Sequence, residues 1–240
     1  MSDEIEAVVV GGIDLGEADR LLRLVSATEG RGAVVARGMR SSRKRFVGAG
    51  ELGTRLRITR GRSTGLASAT AIERLDGPNR ARTEIERIGL LAYGCELCAA
   101  LCPEGSAAPK LYQLLLHWLA LLEGVPRPGE ASRIALEAKA ATFAGLAPTL
   151  THCAVCADPL DDPAVFDAEI GGGAHARCSG GRPIEAAALR ALDELRRTPL
   201  AETPERAAPG GAEWLLADFV QHQLGRPLAS RAWLLSIDRR

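Results

Sequence analysis

The pattern of hydrophobic and polar positions changes once along the chain, near residue 80. Before that point, apolar residues occur in short β-branched runs or alternate with polar ones. In residues 54–59 the alternation places Leu56 and Ile58 on one face of a strand and Arg55 and Arg57 on the other. Glycine-rich turns separate about five such segments, a spacing typical of a small oligonucleotide-binding (OB) β-barrel.

After residue 80, apolar residues recur every three or four positions, which predicts helices. Pro103 and Gly105 end the first helix, and clusters of glycine and proline end the later ones. We therefore predict an α+β multidomain chain with four segments. These are a five-stranded OB barrel over residues 1–80, the first part of a helical domain over 81–150, an inserted zinc-ribbon-like module over 151–182, and the second helical part over 183–240.

Four potential metal ligands lie in the predicted module. Cys153 and Cys156 form one pair, and His175 and Cys178 form a second pair after a gap of 18 residues. Two ligand pairs separated by roughly 15–20 residues are the usual zinc-ribbon layout. Four protein ligands close a tetrahedral shell, so we expect one structural Zn²⁺ with no catalytic role. The alternative is that these thiols are buried as small apolar residues.

The charges are unevenly distributed, although 30 basic and 30 acidic residues give a formal net charge of zero. Ten basic residues and one acidic residue lie between Arg31 and Arg62, and such a cluster indicates a polyanionic partner. Phe46 is the only aromatic residue before position 80, so we expect contacts to the phosphate backbone and little reading of bases. The alternative is a solvated loop. The predicted nucleic-acid-binding residues are Arg37, Arg40, Arg43, Lys44, Arg45, Arg55 and Arg57.

No catalytic motif accompanies these features. A Ser/His/Asp arrangement, a paired-carboxylate site and a phosphate-binding loop are all missing from the sequence, which favours a binding protein over an enzyme. Cys95, Cys98 and Cys102 share an apolar helical stripe and are interpreted as core residues, with a thiol redox site as the alternative. The longest apolar stretch is too short for a membrane span, and the acidic first residues do not resemble a signal peptide. We therefore expect a cytoplasmic protein.

Motifs spread over nearly the whole chain resemble one known family. They occur in family order at residues 6–10, 32–38, 101–105, 145–148, 153–156 and 222–230. The family that they resemble is RecO, the bacterial recombination mediators. The resemblance implies an OB barrel, a helical domain and, in many members, a zinc module. His175 stands where the commonest pattern has a cysteine.

The same resemblance implies a set of partners. It implies binding to single-stranded and double-stranded DNA, annealing of complementary strands, and association with the nucleoid. It further implies joint action with RecR, and contact with the C-terminal tail of single-strand-binding protein, so that RecA replaces that protein on DNA. The alternative is an RNA-binding or ribosome-associated barrel protein that carries a zinc ribbon.

Overall fold

The computed structural model describes residues 3–42, 46–61 and 65–237. Its contacts divide the chain into two compact units, Met1–Glu123 with Ser230–Arg240, and Gly124–Ala229. The predicted segments placed a boundary at residue 80. In the structure the first two helices belong to the same compact unit as the barrel, the first of them packs on its strands, and the division by contacts falls after residue 123.

The first unit begins with a five-stranded antiparallel sheet in the order β3-β2-β1-β4-β5. The Val35 N–H donates to the Ala67 carbonyl at 2.9 Å, and Val35 forms a β-bridge with Ser68. Edge strand β3 therefore meets the segment that leads into β5, which gives the predicted OB-like architecture. The strands are β1 (Asp3–Leu15), β2 (Asp19–Ser26), β3 (Gly30–Ala36), β4 (Arg55–Arg60) and β5 (Ala69–Asp76).

The barrel interior contains the residues that the alternation predicted. Leu56 and Ile58 of β4 are fully buried, and they belong to one core cluster with Leu22 and Val34 of β2 and β3. Arg57, between them in sequence, lies on the opposite face. Because a shift of one residue would exchange the two faces, burial of these apolar side chains also determines where the arginines lie.

Six α-helices follow the barrel within the described residues, and the first two approach each other closely. The Trp118 Nε1–H donates to the Leu90 carbonyl at 3.0 Å. A Cβ at Gly94 would lie 2.3 Å from Trp118 Cδ1, so only glycine permits this approach. No helix within the described ranges is long and apolar enough to cross a membrane. The helices are α1 (Ile85–Leu101), α2 (Pro109–Gly124), α3 (Glu130–Phe143), α4 (Ala186–Arg197), α5 (Leu215–Leu224) and α6 (Ala229–Ile237).

The second unit packs a small sheet against helices. Its strands are β6 (Ala164–Asp167), β7 (Gly172–His175) and β8 (Arg182–Ile184), in the order β7-β6-β8. Phe166 of β6 and Phe219 of α5 make an edge-to-face contact with ring centroids 5.8 Å apart. The predicted second helical part starts at residue 183, but its first α-helix begins at Ala186, because β8 pairs with β6 immediately before it.

Candidate metal centre and nucleic-acid interface

The second unit brings the four predicted metal ligands together. The ligand atoms of Cys153, Cys156, His175 and Cys178 all lie within 4.8 Å of one another. His175 Nδ1 is 3.5 Å from Cys156 Sγ and 3.9 Å from Cys178 Sγ. In a tetrahedral site with Zn–S near 2.3 Å and Zn–N near 2.0 Å, the N-to-S edge measures about 3.6 Å. The cluster therefore has the donor set and the dimensions that a zinc ion requires.

Tight turns position each ligand pair. In the first, the Cys153 N–H donates to the Asp158 carbonyl at 2.7 Å, and the Ala157 N–H donates to the Cys153 carbonyl at 2.9 Å. Ala157 adopts a left-handed backbone conformation with φ of 64°, which reverses the chain directly after the second cysteine. In the second turn, the Cys178 N–H donates to the His175 carbonyl at 2.8 Å. Both pairs thus present their side chains to one point.

The Cys153 thiol has a lowered pKa. Burial raises the pKa of this thiol, but the backbone N–H groups of Cys156, His175 and Val155 stabilise its thiolate more strongly, and the pKa falls to about 6. Because the thiolate is the form that binds metals, these N–H groups favour coordination.

A hydrogen bond to the Pro159 carbonyl and the nearby Asp161 carboxylate orient the imidazole of His175. Its Nε2 lies 2.9 Å from Asp161 Oδ1 and 3.1 Å from the Pro159 carbonyl oxygen, and the residue is buried. Two acceptors at Nε2 assign the proton to that nitrogen, so the lone pair of Nδ1 faces the thiols. A ligating histidine is commonly held this way by a carboxylate. Asp161 was not predicted as part of the site, because its proximity to His175 depends on the folded module.

The predicted basic loop begins at the barrel surface. Arg37 and Arg40 are exposed, and Arg43, Lys44 and Arg45 lie outside the described residues. The Gly38 N–H donates to Asp19 Oδ1 at 2.8 Å. Arg40 Nη1 donates to the Gly16 carbonyl at 2.6 Å and its Nε lies 3.3 Å from Asp14 Oδ2. The start of the loop is therefore anchored to the β1–β2 turn.

Strand pairing neutralises the arginines predicted on β4. Arg57 stands opposite Glu6 of β1 and opposite Glu73 of β5, and its guanidinium lies 3.0 Å and 2.8 Å from their carboxylates. Hydrogen bonds with Glu6 and Glu73 raise the pKa of Arg57. Arg55 lies 3.5 Å from Asp76. These ion pairs make Arg55 and Arg57 less available to phosphates. Contact of either arginine with DNA stays a prediction.

Two further barrel arginines were not predicted. Arg23 of β2 and Arg74 of β5 are exposed, and neither side chain makes a hydrogen bond or ion pair with another residue that the structure describes. Arg37 shares this property. Residues 23 and 74 fall outside the interval of high basic density, so local charge counting could not identify them.

Two protein-family models together match most of the chain. "Recombination protein O N terminal" matches residues 1–77, and "Recombination protein O C terminal" matches residues 82–232. The chain belongs to the RecO family. Its relatives include proteins named "DNA repair protein RecO" from Anaeromyxobacter dehalogenans (strain 2CP-C), 36% identical over 96% of this chain and 95% of the relative, and from Myxococcus xanthus (strain DK1622), 35% identical over 94% and 93%. The RecO protein of Geobacter sulfurreducens is 31% identical over 95% and 96%.

The three cysteines in and directly after α1 are core residues of this RecO-family chain. Cys95, Cys98 and Cys102 are all buried. Burial raises the pKa of Cys95 to about 12 and of Cys102 to about 11, and it raises that of Cys98 as well. A reactive thiol needs a low pKa and access to solvent. These properties argue against the thiol redox alternative.

Proposed function

We propose that this chain is a recombination mediator that binds single-stranded and double-stranded DNA and anneals complementary strands. With RecR it helps to load RecA onto DNA coated by single-strand-binding protein, and it contacts the C-terminal tail of that protein. It acts at the nucleoid by binding and not by catalysis. Membership of the RecO family supports a role in DNA repair and recombination, since its relatives carry the name DNA repair protein.

The observation that carries the proposal is the difference in pairing among the barrel arginines. Arg57 is enclosed by carboxylates, whereas Arg23, Arg37 and Arg74 are exposed without a carboxylate partner in the described part of the chain. A cation that is already paired gains little from a phosphate, because its carboxylate must first be displaced. Cations without such a partner can neutralise phosphates directly, and this supports binding to a polyanion.

The metal in this proposal is a structural zinc ion. The three thiols and the imidazole fill all four positions of a tetrahedral shell, and no position is left for water or substrate. The second unit contains this cluster, whereas the arginines that we assign to DNA lie in the first. We therefore expect the ion to stabilise the fold of its own unit and to take no direct part in binding DNA.

Salt dependence of DNA binding tests the assignment of the arginines. We expect Arg37→Ala to flatten the slope of log affinity against log salt by about 0.7 on single-stranded DNA, the contribution of one phosphate contact. Arg57→Ala is the matched control, because it removes the same charge from a paired site, and its slope should match that of the parent. Equal slopes for both variants and the parent would contradict the assignment.

Strand annealing tests the activity itself. Complementary strands coated with the cognate single-strand-binding protein should anneal faster when the chain is added, and Arg37→Ala should reduce this effect more than Arg57→Ala. Competition distinguishes the RNA-binding alternative. A structured RNA that displaces single-stranded DNA at equal or lower concentration, together with no stimulation of annealing, would favour that alternative.

A further inference from the structure

A cavity of about 490 Å³ lies in the first unit, between strand β2, the segment that joins β3 to β4, and helix α1. Its size falls within the range of roughly 300–1,000 Å³ that is typical of small-ligand sites. One side is apolar and the rim carries three arginines, Arg20, Arg40 and Arg82. The apolar wall consists of Met39, Phe46, Leu52, Ile88 and Leu91.

Glycines hold Arg20 at the rim of this cavity. A Cβ at Gly12 would lie 2.9 Å from Arg20 Nε, and a Cβ at Gly50 would lie 3.6 Å from Arg20 Cδ and 2.9 Å from Met39 Sδ. Side chains at either position would therefore crowd the arginine or close the cavity. The Nε of Arg20 is shielded from solvent and donates to no acceptor in the described residues. Such an unsatisfied buried donor is uncommon and calls for a reason other than stability.

The rim has a positive balance of charge. Arg20 and Arg40 share one carboxylate, Asp14, at 3.5 Å and 3.3 Å. Arg82 lies 2.6 Å from Glu51 Oε2, so three cations face two anions. Arg74, which has no partner among the residues described, extends the positive surface, because its side chain lies beside Gly48 of the cavity lining. A ligand with an apolar body and a negative charge suits this arrangement.

We propose that the cavity receives one unpaired base from a single strand bound on the barrel, with the flanking phosphates at Arg20 and Arg40, which share the single carboxylate of Asp14 and are therefore only partly neutralised. This inference rests on the proposed function, because it presupposes that the barrel binds DNA. Arg37 and Arg40 belong to the same basic segment, so phosphates that follow this segment lead the strand to the rim. The apolar side chains of the wall form no hydrogen bonds with base edges, so the wall admits any of the four bases.

An acidic peptide with an apolar end is the competing occupant. Glu51 at the rim favours the base, because a carboxylate accepts hydrogen bonds from the exocyclic amino groups of cytosine and adenine but repels the carboxylates of such a peptide. A single bound base also agrees with the expectation that most contacts are to the phosphate backbone. Phe46, the only aromatic residue before position 80, lines the cavity. A single base can therefore contact it, while the neighbouring nucleotides are held by their phosphates.

The test compares two 12-mers on the full chain, oligodeoxycytidylate, whose base carries the exocyclic amino group, and an abasic backbone of the same length. We expect the abasic strand to bind at least about fivefold more weakly, the lower bound for loss of one base contact. Ile88→Trp fills the cavity from α1 and should make the two affinities equal, without weakening the abasic strand. Leu52→Trp fills it from the segment that joins β3 to β4 and provides the same test if the first variant does not fold.

Ile85→Trp is the matched control. Residue 85 lies one turn earlier on the same helix, is 62% exposed and does not line the cavity, so this variant should retain the fivefold discrimination. Equal binding of both 12-mers by the parent chain would overturn the inference and leave the proposed function intact. Failure to bind either strand would overturn both. If the Trp variants lose an acidic peptide while base discrimination persists, the cavity belongs to a protein partner and the inference is wrong.

Discussion

Replacing Asp161 by Asn tests whether the carboxylate orients the metal-binding histidine. Asp161 Oδ1 lies 2.9 Å from Nε2 of the buried His175, whose Nδ1 faces the three thiols. The variant keeps the shape of the side chain and removes its charge. The oxygen atom beside Nε2 then carries less negative charge, so the imidazole is a poorer ligand and its ring is less firmly held. We therefore expect zinc to bind more weakly while the four ligands stay in place.

The magnitude follows from the role of partners that hold metal ligands. Loss of such a partner typically lowers metal affinity 10- to 100-fold, which is about 1.4–2.7 kcal/mol. Because zinc binds the folded state, the same amount is lost from the stability of the loaded protein at a fixed zinc concentration. For a chain of this length, that corresponds to a melting temperature lower by about 3–11 °C. The chelated, metal-free proteins should melt at nearly the same temperature.

Two measurements check this prediction. Competition with a chromophoric chelator gives the zinc affinity, and thermal unfolding with and without zinc gives the stability. Glu169→Gln is the control, because it neutralises an exposed carboxylate in the same module and Glu169 is not among the clustered ligands. Equal affinities for Asp161→Asn and Glu169→Gln would refute the reasoning. So would a stability loss that persists in the chelated protein, since Asp161 would then stabilise the fold without the metal.

The other predictions concern the first unit. Burial raises the pKa of Glu123, but hydrogen bonds from the backbone N–H groups of Ala81 and Arg80 outweigh it, and the pKa is lowered. Glu123→Gln should therefore be less stable than the parent above the ordinary glutamate pKa of about 4.3, and acid titration of unfolding should show this difference vanish as pH falls through the lowered pKa. Gly94→Ala should cost about 1–3 kcal/mol because its Cβ meets Trp118; an unchanged midpoint in denaturant unfolding would contradict that packing.

The barrel was predictable because its pattern is local. Alternation places Leu56 and Ile58 on one face whatever the neighbouring strands are, and burial of that face then selects the register. The end of α1 was predictable for the same reason, since Pro103 ends a helical pattern within a few residues. The last helix, α6, was missed, although its residues 229 and 230 lie in a recognised family motif. This helix has only nine residues, which is shorter than the window of about 11–18 residues over which a helical period of apolar positions is recognised.

The metal cluster was predictable from spacing alone, but the contacts around it were not. Short turns impose the two-residue gap within each cysteine pair or histidine–cysteine pair, so the gap is visible in the sequence. Asp161 has no such signature. Its carboxylate reaches His175 across 14 positions, through a loop and two strands whose course depends on the fold. The cavity beside α1 is equally hidden, because glycines at positions 12 and 50 define it only after the strands have assembled.

The arginines of the barrel show that basic density along the sequence differs from the positive charge available at the surface. The interval from residue 31 to 62 has high basic density, yet Arg57 within it is neutralised by Glu6 and Glu73, which are 51 and 16 positions away. Arg74, which lies outside the interval, has no partner among the described residues. The surface available to a polyanion is therefore set by strand register, because register decides which arginines meet a carboxylate. A phosphate chain on this barrel should follow the unpaired arginines and not the most basic stretch of β4.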